Sequence, residues 1–224
     1  MEKKNCAKKW LIIAYILIST LSFVVILLLP TTRSWFGKIS LEHPFIMGFI
    51  KFALLATAGE LIALLIKNGT PTLPCKVVWR FVIWGLIGVW ITFMMKVFSS
   101  ASVYLIDSGI LPGKDSTFLK ALYTSVLMNT SFGPTFMAVH KCTDKMLELS
   151  SEKKKISLSA VITGIDWTNF FGFTIIKTVP FFWIPAHTIT FMLPAQYQVI
   201  MAAALSVALG VFLSFGSKKK IRES

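Results

Sequence analysis

The stretch Leu11–Leu29 contains 19 residues and no charged side chain. An α-helix needs about 20 apolar residues to cross the hydrocarbon core of a bilayer. Hydrophobic residues make up 55% of the chain and charged residues 15%, whereas soluble domains carry about 25% charged residues. The chain is therefore predicted to be an all-α integral membrane protein rather than a soluble globular one.

Six apolar segments predict a polytopic bundle of about six transmembrane helices. They are Leu11–Leu29, Phe45–Ile66, Val77–Met95, Phe118–Val139, a segment within Trp167–Leu193, and Tyr197–Phe215. The third is expected to continue as an amphipathic helix towards Ile106. The first segment follows several lysines, as the apolar region of a signal peptide does. It is too long for a signal peptide and lacks a small-residue cleavage site, which favours a retained anchor.

Basic residues are distributed unevenly between the two ends of these spans. If the N-terminus is inside, 16 of the 23 lysines and arginines fall in inner segments and 5 in outer segments. Lys51 and Lys177 lie within spans. Because cytoplasmic loops of membrane proteins are enriched in lysine and arginine, this bias predicts both termini in the cytoplasm.

Cysteine and tryptophan positions agree with that orientation. The cysteines all fall on the inner side, where thiols stay reduced; they are Cys6, Cys75 and Cys142. Tryptophans are enriched at membrane interfaces; Trp10, Trp79 and Trp167 are expected near the inner one and Trp35 near the outer one.

The net charge of +13 could indicate a nucleic-acid partner, or it could reflect the basic residues that mark the cytoplasmic side of a membrane protein. The basic residues occur in short clusters between apolar runs, without a nucleic-acid-binding motif or an aromatic stacking surface. The clusters therefore indicate membrane sidedness. The expected partner is the lipid bilayer and not nucleic acid, and the expected location is the cytoplasmic membrane, with multiple spans.

Polar side chains inside a span are costly and are functional candidates by default. Here they are Glu60, Lys177, Lys51, His187 and Asn129. Glu60 lies about 9 Å from the inner end of its helix, and Lys177 can reach a similar depth, so we expect the two to pair. Such a pair would either lock two helices together or serve a transport path. Lys51 is expected to snorkel outward, and His187 is either a packing residue or a proton relay.

Small residues and prolines mark two further features of the spans. Small residues at helical spacing allow close helix packing; they are Ala56, Gly59 and Ala63, and then Ala202, Ser206, Gly210 and Ser214. The second set predicts a helix buried in the bundle or in a homo-oligomer interface. Prolines leave carbonyls without a helical donor; the helix-break candidates are Pro134, Pro180, Pro185 and Pro194.

No catalytic constellation is evident in the sequence. Gly-rich phosphate loops, paired carboxylates, nucleophile elbows and metal-binding spacings are all missing from it. We therefore expect a protein that is not an enzyme, with no catalytic residue, metal site or cofactor.

Several short motifs resemble those of the Mpv-seventeen/PMP-twenty-two family of membrane proteins. In chain order they are His43-Pro44, Gly59-Glu60, Phe132-Gly133-Pro134, Ile184-Pro185, Phe191–Pro194 and Phe212–Ser214. Glu60 stands where the family has aspartate, Leu64 where it has glutamine, and Met128-Asn129 where it has Asp-Gln. The family's middle-helix Gly-Pro and Trp-Tyr and its last-helix tryptophan are absent. The resemblance implies a divergent bacterial member, and some relatives are regarded as channels for small solutes.

Together these features predict one integral membrane domain over residues 1–224. Residues 1–42 form an additional span and loop, residues 43–215 the family-like bundle, and residues 216–224 a basic cytoplasmic tail. The leading hypothesis is a channel or transporter for small solutes or ions, with Glu60 and Lys177 as inner-vestibule charges. The competing hypothesis is a structural or regulatory membrane protein without transport activity.

Overall fold

A computed structural model describes residues 2–71, 73–74, 76–205 and 207–208. Within these ranges all regular structure is helical and no strand occurs. The α-helices are α1 (Glu2–Leu28), α2 (Pro30–Glu42), α3 (Pro44–Asn68), α4 (Val77–Asp107), α5 (Thr117–Leu127), α6 (Gly133–Ser151), α7 (Leu158–Thr163), α8 (Trp167–Asn169), α9 (Ile184–Met192) and α10 (Ala195–Leu205). Two π-helices, π1 (Met128–Phe132) and π2 (Phe170–Trp183), lie between them. The all-α prediction is confirmed for this part of the chain.

Among the residues that the structure describes, three helices are long and apolar enough to cross a membrane. They comprise Lys9–Leu28, Pro44–Ile66 and Val77–Asp107, and they coincide with the first three predicted spans. The fourth and fifth predicted spans fall in helices that change from α to π geometry along their length. The described part of the sixth is the short apolar helix α10, and residues 209–215 of that prediction lie outside the described residues. Six spans remain a prediction.

Helix α2 occupies residues for which the sequence predicts a loop. Pro30 does not simply end the first span. It opens a new helix, because its fixed φ and missing N–H suit the first helical position. The residue before it, Leu29, is extended at φ −81° and ψ 123°, as a residue preceding proline prefers. Pro44 starts α3 in the same way. At the other end of α3, Gly69 adopts φ 70° and its N–H donates to the carbonyl of Leu65 over 2.9 Å.

The chain divides into two compact units, Met1–Val89 with Val199–Ser224, and Trp90–Gln198. In the first unit, α1 and α2 both pack against α3. The Tyr15 hydroxyl of α1 donates to the carbonyl of Leu54 over 3.0 Å. The Phe23 and Phe36 rings meet edge to face at 6.1 Å. Helix α3 is therefore central to this unit, which agrees with the burial of half of its most apolar window.

A glycine allows α4 to approach α3 closely in the same unit. A Cβ atom built on Gly88 would overlap the backbone carbonyl oxygen of Gly48 and would lie 2.6 Å from the Cβ of Phe52. Backbone cannot move aside as the end of a flexible side chain can. Gly88 is thus needed for this helix crossing, in the manner of small residues between membrane helices.

Substitution of Gly88 by alanine is expected to lower the free energy of unfolding by about 1–3 kcal/mol, because overpacking forces the two backbones apart. The measurement is a detergent-denaturation curve followed by circular dichroism. Gly172→Ala is the matched control, since its added Cβ would meet nothing within 4 Å. Equal curves for Gly88→Ala and the wild type would contradict the proposed close approach.

In the second unit, α5 packs most extensively against α9. The Ser125 hydroxyl of α5 donates to the carbonyl of Ile184, the first residue of α9, over 2.7 Å. Phe132 lies between Trp90, at 4.9 Å between ring centroids, and Phe136, at 5.9 Å. Both π-helices belong to this unit.

Three of the four predicted helix breaks are not breaks. Helical structure is continuous from Thr117 to Ser151 through Pro134, and from Trp167 to Met192 through Pro180 and Pro185. Just before two of these prolines the hydrogen bonds shift by one residue: the N–H of Gly133 donates to Met128, and that of Ile184 to Val179. This wider turn lets the helix accommodate a residue that has no N–H. Only Pro194 follows a true interruption, where Leu193 is extended at ψ 155°.

Candidate intramembrane polar site

Two residues singled out from the sequence, Asn129 and His187, meet in the second unit. Asn129 lies in π1 and is 3% exposed, and His187 lies in α9 and is 8% exposed. The His187 Nδ1 and Asn129 Oδ1 atoms are 3.0 Å apart, which is hydrogen-bonding distance. The pair joins residues 58 positions apart in the chain.

The other contacts of Asn129 determine which atom donates in this pair. Its amide nitrogen, Nδ2, donates to the carbonyl of Ser125 over 2.8 Å and to the Ser125 hydroxyl oxygen over 3.2 Å. Its Oδ1 can therefore only accept, so His187 donates through Nδ1–H. A neutral imidazole with its proton on Nδ1 has an acceptor lone pair on Nε2. The site thus combines a fixed amide, a hydroxyl and an imidazole whose Nε2 can accept a hydrogen bond.

The local structure of π1 orients the Asn129 side chain towards α9. Three consecutive polar residues, Asn129, Thr130 and Ser131, each donate from the side chain to the carbonyl four residues earlier. In a π-helix the backbone N–H bonds are displaced from those carbonyls, so the side chains supply donors there. Thr130 and Ser131 are exposed, whereas Asn129 is buried and faces α9. Of the three, Asn129 is therefore the one available to a site between helices.

Aromatic rings surround the imidazole. The Trp183 ring lies 5.2 Å from that of His187, and the Phe191 ring 6.3 Å from it. The Trp183 indole N–H is buried and has no hydrogen-bond partner within the described ranges. A buried donor without a partner is costly, because it loses its hydrogen bond to water. The surroundings of His187 thus hold one more donor that a polar ligand or a water molecule could satisfy.

Glu60, in the first unit, has partners that the sequence hypothesis does not name. Its Oε1 accepts from Nη1 of Arg80 over 2.7 Å, and its Oε2 accepts from the indole N–H of Trp84 over 3.4 Å. The Arg80 and Glu60 side chains are only 13% and 23% exposed. The ion pair joins α3 to the start of α4. From the sequence alone, Arg80 is only one of the 16 basic residues that are predicted to lie on the inner side of the membrane.

The predicted pairing of Glu60 with Lys177 stays a prediction. The two residues belong to different units, and Lys177 is exposed in π2. The hydrogen bond and ion pair just described hold the Glu60 carboxylate within its own unit.

Lys51 does not snorkel outward as expected. Its side chain is 2% exposed, and its Nζ donates to the hydroxyl of Ser40 over 2.8 Å. The ammonium group also lies 4.6 Å from the centre of the Phe36 ring, within cation–π range. Both contacts come from α2, the helix that hydropathy does not reveal. Burial is favoured because α2 supplies a polar acceptor beside an aromatic face.

Of the small residues predicted to allow close helix packing, some lie in the described part of the chain and some lie outside it. Ala56 and Gly59 are buried, and a Cβ atom on Gly59 would lie 2.9 Å from the backbone Cα of Val207. Ala63 is half-buried. Ala202 is 4% exposed. Ser206, Gly210 and Ser214 lie outside the described residues.

Metal binding gains no support from the described residues. No three histidine, cysteine, aspartate or glutamate side chains converge there in a way that could hold a metal ion.

Comparison of the chain with family profiles, with characterised proteins and with solved structures found no match. The resemblance of the short motifs to the Mpv-seventeen/PMP-twenty-two family stays an expectation from the sequence.

Proposed function

We propose that this protein is a channel or transporter that moves a small polar solute or ion across a membrane, with His187, Asn129 and Ser125 at its binding site. The observation that carries the proposal is the buried hydrogen bond between His187 and Asn129. Polar and ionisable groups are expensive in an apolar bundle, and those retained there commonly belong to substrate or ion pathways.

The π-helices give independent support. Both members of the pair adjoin one: Asn129 lies within π1, and His187 follows the end of π2 by four residues. Such segments are rare and occur frequently at functional sites. In this chain π1 also places the Asn129 side chain where it bonds to both Ser125 and His187.

The membrane arrangement that we propose has six spans, with both termini in the cytoplasm of a bacterial cell. The 16-to-5 distribution of basic residues supports this orientation. Reporter fusions near Ile110 and Ser150 should then lie on opposite faces of the membrane. If both fusions report the same compartment, the six-span arrangement is wrong.

A structural or regulatory protein without transport activity is the second candidate. Its support is that the buried charges of the first unit are bonded across helix pairs, Glu60 to Arg80 and Lys51 to Ser40. Such contacts lock helices together without requiring a ligand.

Flux separates the two candidates. Purified full-length protein would be placed in liposomes and tested against a broad panel of small solutes and ions, with protein-free liposomes as the control. Transport predicts flux of at least one panel member that grows with the amount of protein. A folded, monodisperse sample that passes none of them would favour the structural role.

A further inference from the structure

We propose that the first unit binds one anionic phospholipid in a groove between α1, α3 and α4. This inference rests on the proposed membrane insertion but not on solute transport. The groove has a volume of about 340 Å³ and an almost wholly apolar lining. Its walls include Leu11 and Tyr15 of α1, Leu61 of α3, and Val78 and Phe81 of α4.

The groove opens to the side where lipid would lie. Leu11 and Val78, which line it, are 69% and 71% exposed. Leu61 is 2% exposed and belongs to the buried part of the wall. A chain of methylene groups could enter between the exposed residues and cover the apolar wall, as an acyl chain does. A polar solute would gain nothing from this lining.

Two exposed lysines that neighbour lining residues in the chain indicate the charge of the lipid. Lys9 lies three residues before the lining residue Ile12, on the same face of α1, and Lys76 lies directly before Val77, the first residue of α4 and also a lining residue; both lysines are exposed. Lys76 adopts φ 53°, and its carbonyl accepts from the N–H of Arg80 at the start of the helix. The positive end of the α4 dipole therefore lies at the same place. Basic residues beside a groove between membrane helices suit anionic lipid headgroups.

Tryptophans place this end of the groove at the membrane interface. Trp10 and Trp79 are 66% and 61% exposed, and each is next to a residue that lines the groove. Exposed tryptophans in membrane proteins lie at the level of the headgroups. Glu60, next to Leu61, is bonded to Arg80, so its charge is compensated. A phospholipid whose phosphate lies at the level of Lys9 and Lys76 would therefore place an acyl chain in the groove.

The test uses the full chain in nanodiscs of equimolar phosphatidylglycerol and phosphatidylcholine, with retained lipid counted by native mass spectrometry. We expect one phosphatidylglycerol per chain, retained in preference to phosphatidylcholine. Lys76→Gln should reduce that preference about fivefold. Lys38→Gln is the matched control, because Lys38 is an exposed lysine of α2 paired with Glu42. It should leave the preference unchanged.

A second variant tests the groove itself and does not depend on charge. Val78→Trp should fill the groove and remove the retained lipid, whereas Leu86→Trp should not, because Leu86 is a 59% exposed residue of the same helix outside the groove. A phosphatidylglycerol with a photoreactive acyl chain should label α1, α3 or α4 at the groove. Equal retention of both lipids, unchanged retention in Val78→Trp, or labelling confined to other helices would each overturn the proposal. Flux in liposomes is measured separately, so loss of either proposal leaves the other testable.

Discussion

If the protein transports a solute as we propose, replacement of Asn129 by leucine is expected to reduce its flux about 10- to 100-fold in liposomes. The change removes the acceptor for His187 Nδ1–H and the donor to the Ser125 carbonyl. Hydrogen bonds at such a site are worth about 1–3 kcal/mol, and each 1.4 kcal/mol corresponds to roughly a factor of ten. The measurement is the initial rate of flux for the panel solute that the wild type moves.

The matched control for this variant is Thr130→Val. Thr130 lies in the same π-helix and its hydroxyl also bonds to a backbone carbonyl, but its side chain is exposed. Its replacement should leave flux within about twofold of the wild type, because a surface change has little effect on structure. Circular dichroism and gel filtration would establish that both variants are folded. Equal flux in folded Asn129→Leu and wild-type protein would exclude Asn129 from the transport path.

Replacement of Arg80 by alanine is expected to lower the free energy of unfolding by about 3 kcal/mol. The change leaves the Glu60 carboxylate, only 23% exposed, without the guanidinium group 2.7 Å away. Removal of one partner from a buried ion pair typically costs about 3–5 kcal/mol. We place the value at the lower end of that range because Trp84 still donates to Glu60. A denaturation curve in mixed detergent micelles would measure it.

A double-mutant cycle with Glu60→Gln isolates the contribution of the pair. If the two groups interact, the double variant should lose less stability than the sum of the two single variants, by about 1–3 kcal/mol. Arg33→Ala is the control, since Arg33 is exposed in α2 and its loss should matter by less than about 0.5 kcal/mol. Single-variant effects that simply add would show that Glu60 and Arg80 do not stabilise one another.

The long apolar helices could be predicted because length and hydropathy alone define them. Leu11–Leu29, Phe45–Ile66 and Val77–Met95 each lie largely in a helix able to span a membrane. Helix α2 could not be predicted in this way, because Pro30 both ends one helix and begins the next. From the sequence, a proline that only ends a helix looks the same as one that also begins the next helix. The burial of Lys51 depends on the same helix, since Ser40 and Phe36 both come from α2.

The π-helices and the pairing within the polar site could not be predicted. Hydropathy has nearly the same pattern in α- and π-geometry over a few residues, so Met128–Phe132 carries no signal of its own. Asn129 and His187 each stand out as polar residues in apolar segments. Their contact depends on how α5 and α9 align along their lengths, which one sequence does not specify. The pairing of Arg80 with Glu60 could not be predicted either, because depth along single helices says nothing about contacts across the turn between α3 and α4.

The length of α4 has a consequence for the surface of the membrane. Its 31 residues extend about 46 Å, whereas the hydrocarbon core is about 30 Å thick. The surplus of about 16 Å corresponds to roughly the last eleven residues, Val97–Asp107. Tilting of the helix or local thickening of the bilayer could take up part of this surplus. Here the segment mixes apolar residues with Ser99, Ser100 and Ser102 and ends at Asp107, a pattern consistent with the amphipathic continuation expected from the sequence.

Ser102 and Ile106 are buried, so the C-terminal end of α4 packs against other parts of the chain. In the membrane arrangement that we propose, this end of α4 would continue beyond the hydrocarbon core as packed helical structure on the water-facing side.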